Sequence, residues 1–326
     1  MTTADLPTTS ASPSSFEGLF RAICDNVRQV VRGKDHAVEL AVLCLIAEGH
    51  LLIEDVPGVG KTSLGKALAV SIDGTFGRVQ FTPDLLPADV VGTSIWNQQT
   101  GEFEYRPGPV FSNLLLADEI NRATPKTQSA LLEAMAERQV TGGGATRELP
   151  RPFMVITTQN PAEHHGTYPL PESQLDRFLI KVSLGYPGTE DEEAMLLAEG
   201  SVPSLERLRP VVGIDHVGAM AHRATQVHVS GAVRRYIIAI AQGTRRHHLL
   251  SLGMSPRASL GVQRAAQVRA AAQGRDYVLP DDVKAIALPV LAHRVELAPH
   301  ARLADHRPEA ILSELIASVP IPSDVD

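Results

Sequence analysis

Aromatic residues and cysteines are both scarce in this sequence of 326 residues. Phe, Trp and Tyr make up 4% of the chain, so its core must rest on Leu, Val, Ile and Ala. The two cysteines, Cys24 and Cys44, lie in apolar stretches of helical spacing, which is typical of buried thiols and not of a disulfide framework. A reducing compartment fits this usage, and we expect a cytoplasmic protein.

The sequence also lacks a long uninterrupted apolar run. Its most apolar stretch, residues 37–53, contains Glu39, Glu48 and His50, so we expect no membrane-spanning segment. Residues 1–15 are rich in Thr, Ser, Pro and Ala and have neither the basic nor the apolar part of a secretory signal. They are predicted to form a disordered tail.

An excess of positive charge is missing as well. The formal net charge is -7, which argues against a general nucleic-acid-binding protein, because binding to phosphates requires Lys and Arg in excess. The length of the chain favours one nucleotide-binding domain together with a second, smaller domain.

Short apolar runs alternate with helical patterns in the first half of the chain. The runs lie at residues 51–54, 79–82, 114–117, 153–157 and 178–182. This alternation predicts an α/β core at residues 16–187, in which helices cover both faces of a parallel sheet. After about Pro187 helical patterns fill the chain, which predicts an all-helical linker and lid domain at residues 188–326.

A glycine-containing loop follows the first of these runs and opens a helix. The backbone N–H groups of such a loop surround phosphate oxygens, and the positive end of the helix dipole adds to their attraction. Lys61 would reach the β- and γ-phosphates of a nucleotide, and the Thr62 hydroxyl would ligate Mg²⁺. The residues predicted to bind the nucleotide here are Pro57, Gly58, Val59, Gly60, Lys61, Thr62 and Ser63.

The first position of this loop departs from the usual G-x-x-x-x-G-K-[ST] pattern, because Asp55 stands where glycine is common. Asp tolerates unusual backbone dihedral angles better than most residues, so we expect the loop to keep its shape. A surface turn in front of an ordinary helix is the alternative interpretation.

Two acids end the apolar run at residues 114–117. In open parallel sheets ligands bind at the carboxyl ends of the strands, so Asp118 is predicted to hold Mg²⁺ through water and Glu119 to activate the attacking water. The run at residues 153–157 leads in the same way to Asn160, which would align that water. Solvated acids at a strand end and an Asn-Pro turn are the alternatives.

Taken together, these motifs resemble the AAA+ ATPases and, more narrowly, the MoxR family. The stretches that carry the resemblance are EDVPGVGKT at residues 54–62, QFTPDLLP at 80–87, ADEINRA at 117–123, QNP at 159–161 and LPESQLDRF at 170–178. The match runs from about Val31 to Val295. Several motifs in this order are more specific than any one of them, and members of the family accept residues other than glycine at the start of the loop.

The resemblance implies an ATPase that uses ATP and Mg²⁺ in a homo-oligomeric ring, usually a hexamer, with each ATP between two neighbours. Arg177 matches the arginine finger, which would reach a neighbour's γ-phosphate. On the residues alone, a surface ion pair of Arg177 with Asp176 or Glu172 is favoured. Val31 and Gly33 match the segment that lies against adenine.

Arg257, beside a Ser-Pro helix start, matches the second sensor arginine of the family. The sequence leaves open whether it acts in its own subunit or on a neighbour. The residues that follow it on one face of the helix are predicted to belong to the lid core: Leu260, Arg264, Ala265 and Val268.

Two insertions interrupt the predicted core. Residues 81–111 are irregular and resemble the helix-two insert of related AAA+ proteins, and residues 138–149 predict a β-hairpin that resembles their pre-sensor hairpin. The resemblance implies that both lie near the centre of the ring, where clients are engaged. Exposed loops without function are the alternative. Gln80 would restrain Glu119 before assembly.

The predicted function is that of a MoxR-like AAA+ ATPase, which hydrolyses ATP to drive chaperone-like remodelling, assembly or metal insertion of a client protein. The resemblance also implies a partner with a von Willebrand factor A domain. A nucleotide-gated scaffold and a magnesium-chelatase-like motor subunit are the alternatives. The net charge argues against a nucleic-acid motor.

Overall fold

The computed structural model describes residues 15–160, 167–197 and 204–321. All of the predicted tail except Ser15 lies outside these ranges. The first part of the chain forms α1 (Phe16–Arg28), α2 (Asp35–Ile46), β1 (Leu51–Glu54), α3 (Lys61–Ser71), β2 (Phe76–Gln80), α4 (Pro87–Val91), β3 (Gly92–Asn97), β4 (Glu102–Pro107), β5 (Leu114–Asp118), a 3₁₀ turn (Ile120–Arg122), α5 (Pro125–Glu137), β6 (Gln139–Gly142), β7 (Ala145–Glu148), β8 (Met154–Gln159), α6 (Glu172–Leu175) and β9 (Ile180–Val182). The second part forms α7 (Thr189–Leu197), α8 (Ser204–Arg207), α9 (Ile214–Thr225), α10 (Gly231–Arg246), β10 (Leu250–Leu252), α11 (Pro256–Ala272), α12 (Pro280–Leu291), β11 (Glu296–Leu297), α13 (Pro299–Leu303) and α14 (Pro308–Ser318).

Five strands form one parallel sheet in the order β2-β5-β8-β1-β9. They correspond to the five apolar runs of the sequence, so the prediction of an α/β fold is confirmed. β2 begins at Phe76, ahead of the predicted run at residues 79–82. It is an edge strand with one exposed side, and such a strand accepts Gly77 and Arg78, which hid its start in the sequence.

Side chains of the sheet alternate between two apolar clusters. Leu51 and Ile53 pack on one face with α1, α2, α3 and the lid helices, whereas Leu52 and Leu115 pack on the other face with α5. Successive residues of a strand point to opposite faces, so an uninterrupted apolar run is the pattern of a strand that is buried on both sides. Each fully buried Leu or Ile contributes about 1.5–3 kcal/mol to stability.

Two hairpins lie where the sequence has its insertions. β6 and β7 are joined by Gly143 and Gly144, whose φ angles of 62° and 78° suit the tight turn of a two-residue hairpin, and the predicted hairpin is confirmed. Residues 81–111 contain α4 and a second hairpin, β3–β4, so their prediction as an irregular segment was wrong. This hairpin has only two strands and no buried face of its own, and its sequence therefore lacks the alternation of a half-buried strand.

The second part of the chain is a helical lid. α9, α10, α11, α12 and α14 pack on one another, and β10 and β11 add a short antiparallel pair to the predicted helices. α11 begins as the sequence indicates: the Ser255 hydroxyl accepts a hydrogen bond from the N–H of Ala258 (3.0 Å), and Pro256 occupies the first turn.

One face of α11 is only partly in the lid core. Ala265 and Val268 are buried as predicted, but Leu260 is 68% exposed, so its assignment to the core was wrong. Arg264 is also partly exposed and lies 2.7 Å from a carboxylate oxygen of Glu48. Leu260 is exposed because it lies in the first part of α11, where Ala258 and Val262 are buried but their neighbours are not, whereas residues 265–268 further along the helix are all buried.

The lid docks against the edge of the sheet at which the strands begin. Arg294 donates a hydrogen bond to the carbonyl oxygen of Phe178 (2.6 Å), just before β9, and the ion pair between Arg264 and Glu48 lies just before β1. α12 also packs along β9, and Glu309 of α14 lies 3.9 Å from Lys181, so the lid covers this outer strand as well as the edge at which β1 and β9 begin.

Two buried histidines and two buried cysteines of the core and the lid junction are neutral at neutral pH. Burial lowers the pKa of His50 to about 4 and that of His293 to about 3. Cys24 and Cys44 are both buried free thiols, as predicted, and burial raises the pKa of Cys24 to about 12. Both thiols therefore stay protonated at neutral pH. Within the described ranges, no helix is long and apolar enough to cross a membrane.

Candidate functional site

The three candidate motifs lie at one edge of the sheet. β1 pairs with β8 so that Glu54 is opposite Gln159, and β5 pairs with β8 so that Ala117 is opposite Thr157. The phosphate loop, the acidic pair and the buried Asn160 follow directly after these positions. This is the carboxyl edge of the sheet, where ligands bind in open α/β proteins.

The phosphate loop joins β1 to α3. Gly58 and Gly60 have φ angles of 85° and 93°, a region that favours glycine, and α3 begins directly afterwards at Lys61. The Lys61 ammonium donates a hydrogen bond to the carbonyl oxygen of Asp55 (2.9 Å), so its charged end lies along the loop. The remaining predicted nucleotide contacts are exposed or half-buried: Pro57, Val59, Thr62 and Ser63.

Asp55 holds the loop in place through its side chain. Its buried carboxylate accepts hydrogen bonds from the hydroxyl of Ser183 (3.1 Å) and from the N–H groups of Leu184 (2.5 Å) and Gly185 (2.8 Å). We expected Asp55 to be accepted here because Asp tolerates unusual backbone dihedral angles. Its φ angle is not positive, so this explanation was wrong. The carboxylate instead ties the start of the loop to the end of β9.

Asp118 is fixed on two sides. Its Oδ2 accepts a hydrogen bond from Arg78 on the neighbouring edge strand (2.8 Å), and its Oδ1 accepts one from the hydroxyl of Thr158 (2.6 Å). Its side chain is 15% exposed. The Asp118 carboxylate and the Thr62 hydroxyl would both offer oxygen ligands, which suits Mg²⁺.

Glu119 follows in a left-handed conformation, with φ 57° and ψ 52°. Such a conformation costs a non-glycine residue on the order of 1–3 kcal/mol and is common at functional sites. Its Oε2 accepts hydrogen bonds from Gln80 (2.9 Å) and from Arg122 (2.9 Å). The contact with Gln80 that the sequence suggested is therefore present.

Three residues of this site were missed by sequence reasoning: Arg78, Arg122 and Thr158. Arg78 is two residues from Gln80, and the two-residue period of a strand places both on the same side of β2. Arg122 is three residues from Glu119 in a helical turn, a spacing that brings side chains together. Both arginines could therefore have been predicted to lie beside the acidic pair. Thr158 depends on the register between β5 and β8, which no local pattern contains.

Comparisons with known proteins agree with the geometry of this edge. Residues 50–180 match the model of the ATPase family associated with various cellular activities, and residues 242–315 match that of the AAA lid domain. The chain is 48% identical to the uncharacterized protein YeaC of Bacillus subtilis, over 91% of this chain and 93% of that protein. It is 41% identical to the chaperone MoxR1 of Mycobacterium tuberculosis, over 97% of this chain and 87% of that protein. The chain belongs to the MoxR family of AAA+ ATPases.

The fold of this MoxR-family chain also has a close structural counterpart. A solved structure of a Cytophaga hutchinsonii protein, assigned as an ATPase, superposes with a TM-score of 0.88 and 38% sequence identity, and the match covers 94% of this chain and 96% of that one. Protein MoxR of Paracoccus denitrificans is 30% identical over 95% of this chain and 98% of its own length. The matches span the core and the lid together.

The two candidate arginines of this MoxR-family chain do not lie at the carboxyl edge. Arg177 is just before β9 and donates a hydrogen bond to the carbonyl oxygen of Leu132 in α5. Among the described contacts it forms no ion pair with Asp176, whose carboxylate instead accepts a hydrogen bond from Ser255 (3.0 Å). Arg257 is exposed at the start of α11, on the same side of the molecule. Both arginines thus lie where the strands begin.

The segment that matches the adenine contact lies on the side of the phosphate loop. α2 leads through a short turn into β1, so the two run in opposite directions, and the start of α2 lies near the end of β1. Val31 is buried there, and Gly33 has a φ of 66°. The carboxylate of Asp191 leaves no room for a side chain at Gly33, since a Cβ would lie 2.0 Å from its Oδ2.

Proposed function

We propose that this chain hydrolyses ATP to ADP and phosphate with Mg²⁺ in a ring of six identical subunits. The chain would use this cycle to remodel or assemble a client protein. One observation carries the proposal. The phosphate loop, the acidic pair and Asn160 meet at one edge of the sheet, while Arg177 and Arg257 lie at the other edge. Such a division suits a site that two neighbouring subunits complete.

Each residue at the carboxyl edge has a distinct part in this proposal. The loop amides, the start of α3 and Lys61 would hold the phosphates, and Thr62 and Asp118 would hold Mg²⁺, the latter through water. Bound Mg²⁺ would neutralise charge on the phosphate oxygens. Glu119 orients and activates the attacking water, and Asn160 aligns it. Gln80 and Arg122 both bind Oε2 of Glu119, which leaves Oε1 to accept a hydrogen bond from the attacking water.

The position of the arginines supports action on a neighbour. The length of β1 (Leu51–Glu54) alone separates the two edges of the sheet by about 10 Å. Arg177 lies at the edge of the sheet opposite to its own phosphate loop, where it donates a hydrogen bond to the carbonyl oxygen of Leu132. We therefore propose that it contacts the phosphates bound by an adjoining subunit and not those of its own. The same reasoning supports action of Arg257 on a neighbour's nucleotide.

ATP turnover across a series of protein concentrations tests the shared site. We expect turnover per subunit to rise with concentration, because dilution separates the two halves of each site. Lys61→Ala should raise the dissociation constant for ATP at least about 10-fold, since it removes a charged hydrogen bond to phosphate.

Lys66→Ala is the matched control for Lys61→Ala, because Lys66 is exposed on the same helix and outside the loop. It should leave the affinity for ATP unchanged. Unaltered ATP affinity in Lys61→Ala would remove the loop assignment. ATP binding without turnover at any concentration would favour the nucleotide-gated scaffold, or a chain that needs its partner for assembly.

The β3–β4 hairpin is the proposed client contact. Trp96 and Phe103 are 52% and 71% exposed and pack edge to face across the two strands, with ring centroids 5.1 Å apart. In a chain with 4% aromatic residues, this exposed pair stands out as a binding surface. Glu102 and Glu104 point to the opposite face of the hairpin, because successive residues of a strand alternate, so the aromatic face suits an extended client segment with apolar side chains.

Trp96 is the single tryptophan of the chain, so its fluorescence reports directly on this surface. A synthetic peptide of alternating Leu and Ser should shift its emission to the blue, and Phe103→Ser should weaken that binding about fivefold or more. The same peptide with Gly for Leu should bind less tightly. Leu303→Ser, which alters an exposed lid residue, is the matched control. Equal binding of both peptides would contradict the proposed apolar contact.

The identity of the client, the partner with a von Willebrand factor A domain and the cytoplasmic location stay predictions. MoxR1 of Mycobacterium tuberculosis carries the name chaperone, which supports work on a protein client. A magnesium-chelatase-like role remains the alternative for the same motor, and copurification of the chain with its bound proteins separates the two.

A further inference from the structure

One hydroxyl group connects the two acids of the site. Thr158 Oγ1 donates a hydrogen bond to Oδ1 of Asp118 (2.6 Å) and accepts one from the N–H of Glu119 (2.8 Å). The side chain is fully buried on β8, near the centre of the sheet. Neither the site motifs of the sequence nor the family resemblance assigned it a role.

The sheet register brings this hydroxyl to the acids. Ala117 of β5 pairs with Thr157 of β8, and one residue further along both parallel strands come Asp118 and Thr158. Side chains alternate across a sheet, so Thr158 shares the face of Asp118, while Thr157 points to the opposite face. The Thr157 hydroxyl is buried and, among the described residues, has no hydrogen-bond partner.

Only a hydroxyl of this size fits both tasks. It must donate to a carboxylate and accept from an amide with the same oxygen, which a serine or threonine does and a valine does not. The bond to Asp118 fixes one carboxylate oxygen, while Arg78 fixes the other. The bond to the Glu119 amide holds the left-handed turn that directs the Glu119 side chain.

We propose that Thr158 is a positioning residue for ATP hydrolysis, which orients Asp118 toward the Mg²⁺ position and Glu119 toward the attacking water. This inference rests on the proposed ATPase function. Partners that orient metal-binding and catalytic groups typically affect metal affinity or activity about 10- to 100-fold. The phosphate loop is not in contact with Thr158 through any described hydrogen bond, so ATP affinity should be independent of it.

The test compares Thr158→Val with Thr158→Ser and Thr157→Val in the full chain. Thr158→Val keeps the shape and removes the hydroxyl, so we expect kcat to fall about 10- to 100-fold and half-saturation by Mg²⁺ to need more metal. ATP affinity measured without Mg²⁺ should match that of the unaltered protein. Thr158→Ser restores both hydrogen bonds and should stay within about threefold of normal kcat. Thr157→Val makes the same chemical change one residue away and should leave kcat and the Mg²⁺ requirement unchanged.

The outcomes separate this inference from the proposed function. If the unaltered protein is active and Thr158→Val behaves like Thr157→Val, the positioning role is overturned and the ATPase function stands. If Thr158→Ser is as impaired as Thr158→Val, the hydroxyl is not the cause and the role is also overturned. If Thr158→Val does not fold, Thr158→Ser and Thr158→Ala differ by the hydroxyl alone and give the same comparison. An unaltered protein without turnover in any assembly would instead overturn the function itself.

Discussion

We expect Arg177→Ala to lower the turnover of assembled protein by about 10³- to 10⁵-fold while ATP binding is preserved. An arginine at the transferring phosphoryl group stabilises charge that develops only in the transition state, so its loss affects kcat and not ground-state affinity. Arg177 lies at the edge of the sheet remote from its own phosphate loop, so its removal leaves that loop intact. Steady-state turnover and equilibrium ATP binding on the same preparation measure the two effects.

A mixing experiment decides whether Arg177 acts on a neighbour. Subunits with Arg177→Ala keep their own Glu119, and subunits with Glu119→Gln keep their own Arg177, so a mixed interface can contain both groups. We expect partial recovery of turnover when the two variants are combined. The control mixture combines Arg177→Ala subunits with subunits that carry both Arg177→Ala and Glu119→Gln. No subunit of this mixture supplies Arg177, so it should remain inactive. No recovery in the first mixture, with mixed rings shown to form, would refute action between subunits.

Glu119→Gln is expected to lower kcat by about 10²- to 10⁴-fold and to leave ATP bound. Glutamine keeps the shape of the side chain but cannot accept a proton from the attacking water. It also cannot reproduce both bonds that the carboxylate oxygen accepts from Gln80 and Arg122 with the same strength. Single-turnover measurement with preloaded ATP isolates the chemical step from nucleotide binding and release.

A remote acid supplies the control for this variant. Glu314 is exposed on α14 and away from the acidic pair, so Glu314→Gln makes the same change of charge without touching the site. It should turn over ATP at the normal rate. Normal turnover in Glu119→Gln itself would remove Glu119 from water activation. Retained ATP in an inactive Glu119→Gln protein, with an active unaltered protein, would argue against the scaffold alternative.

Local patterns were sufficient for the parts of the molecule that short stretches of chain define. The loop that ends in Lys61 needs positive φ angles at two positions and a helix start directly afterwards, and glycine and the helix pattern reveal both. The apolar run that ends in Asp118 predicts a buried strand, because a strand that is buried on both faces has apolar residues at every position. The fold class and the carboxyl edge of the site followed from such features.

Contacts between distant segments lay beyond those patterns. Asp55 meets the residues after β9, and Thr158 meets Asp118 across two strands whose register depends on packing of the whole sheet. The β3–β4 hairpin was missed because it has no buried face to impose alternation.

The placement of the arginines depends on how the lid docks. Arg177 and Arg257 are far apart in sequence, and they come to the same side because the lid packs on the edge where the strands begin. Helical periodicity shows which residues of the lid face inward, but it does not specify which surface of the core receives the lid. Spacing and turn chemistry act over a few residues, whereas register and docking depend on complementary surfaces that exist only after the chain has folded.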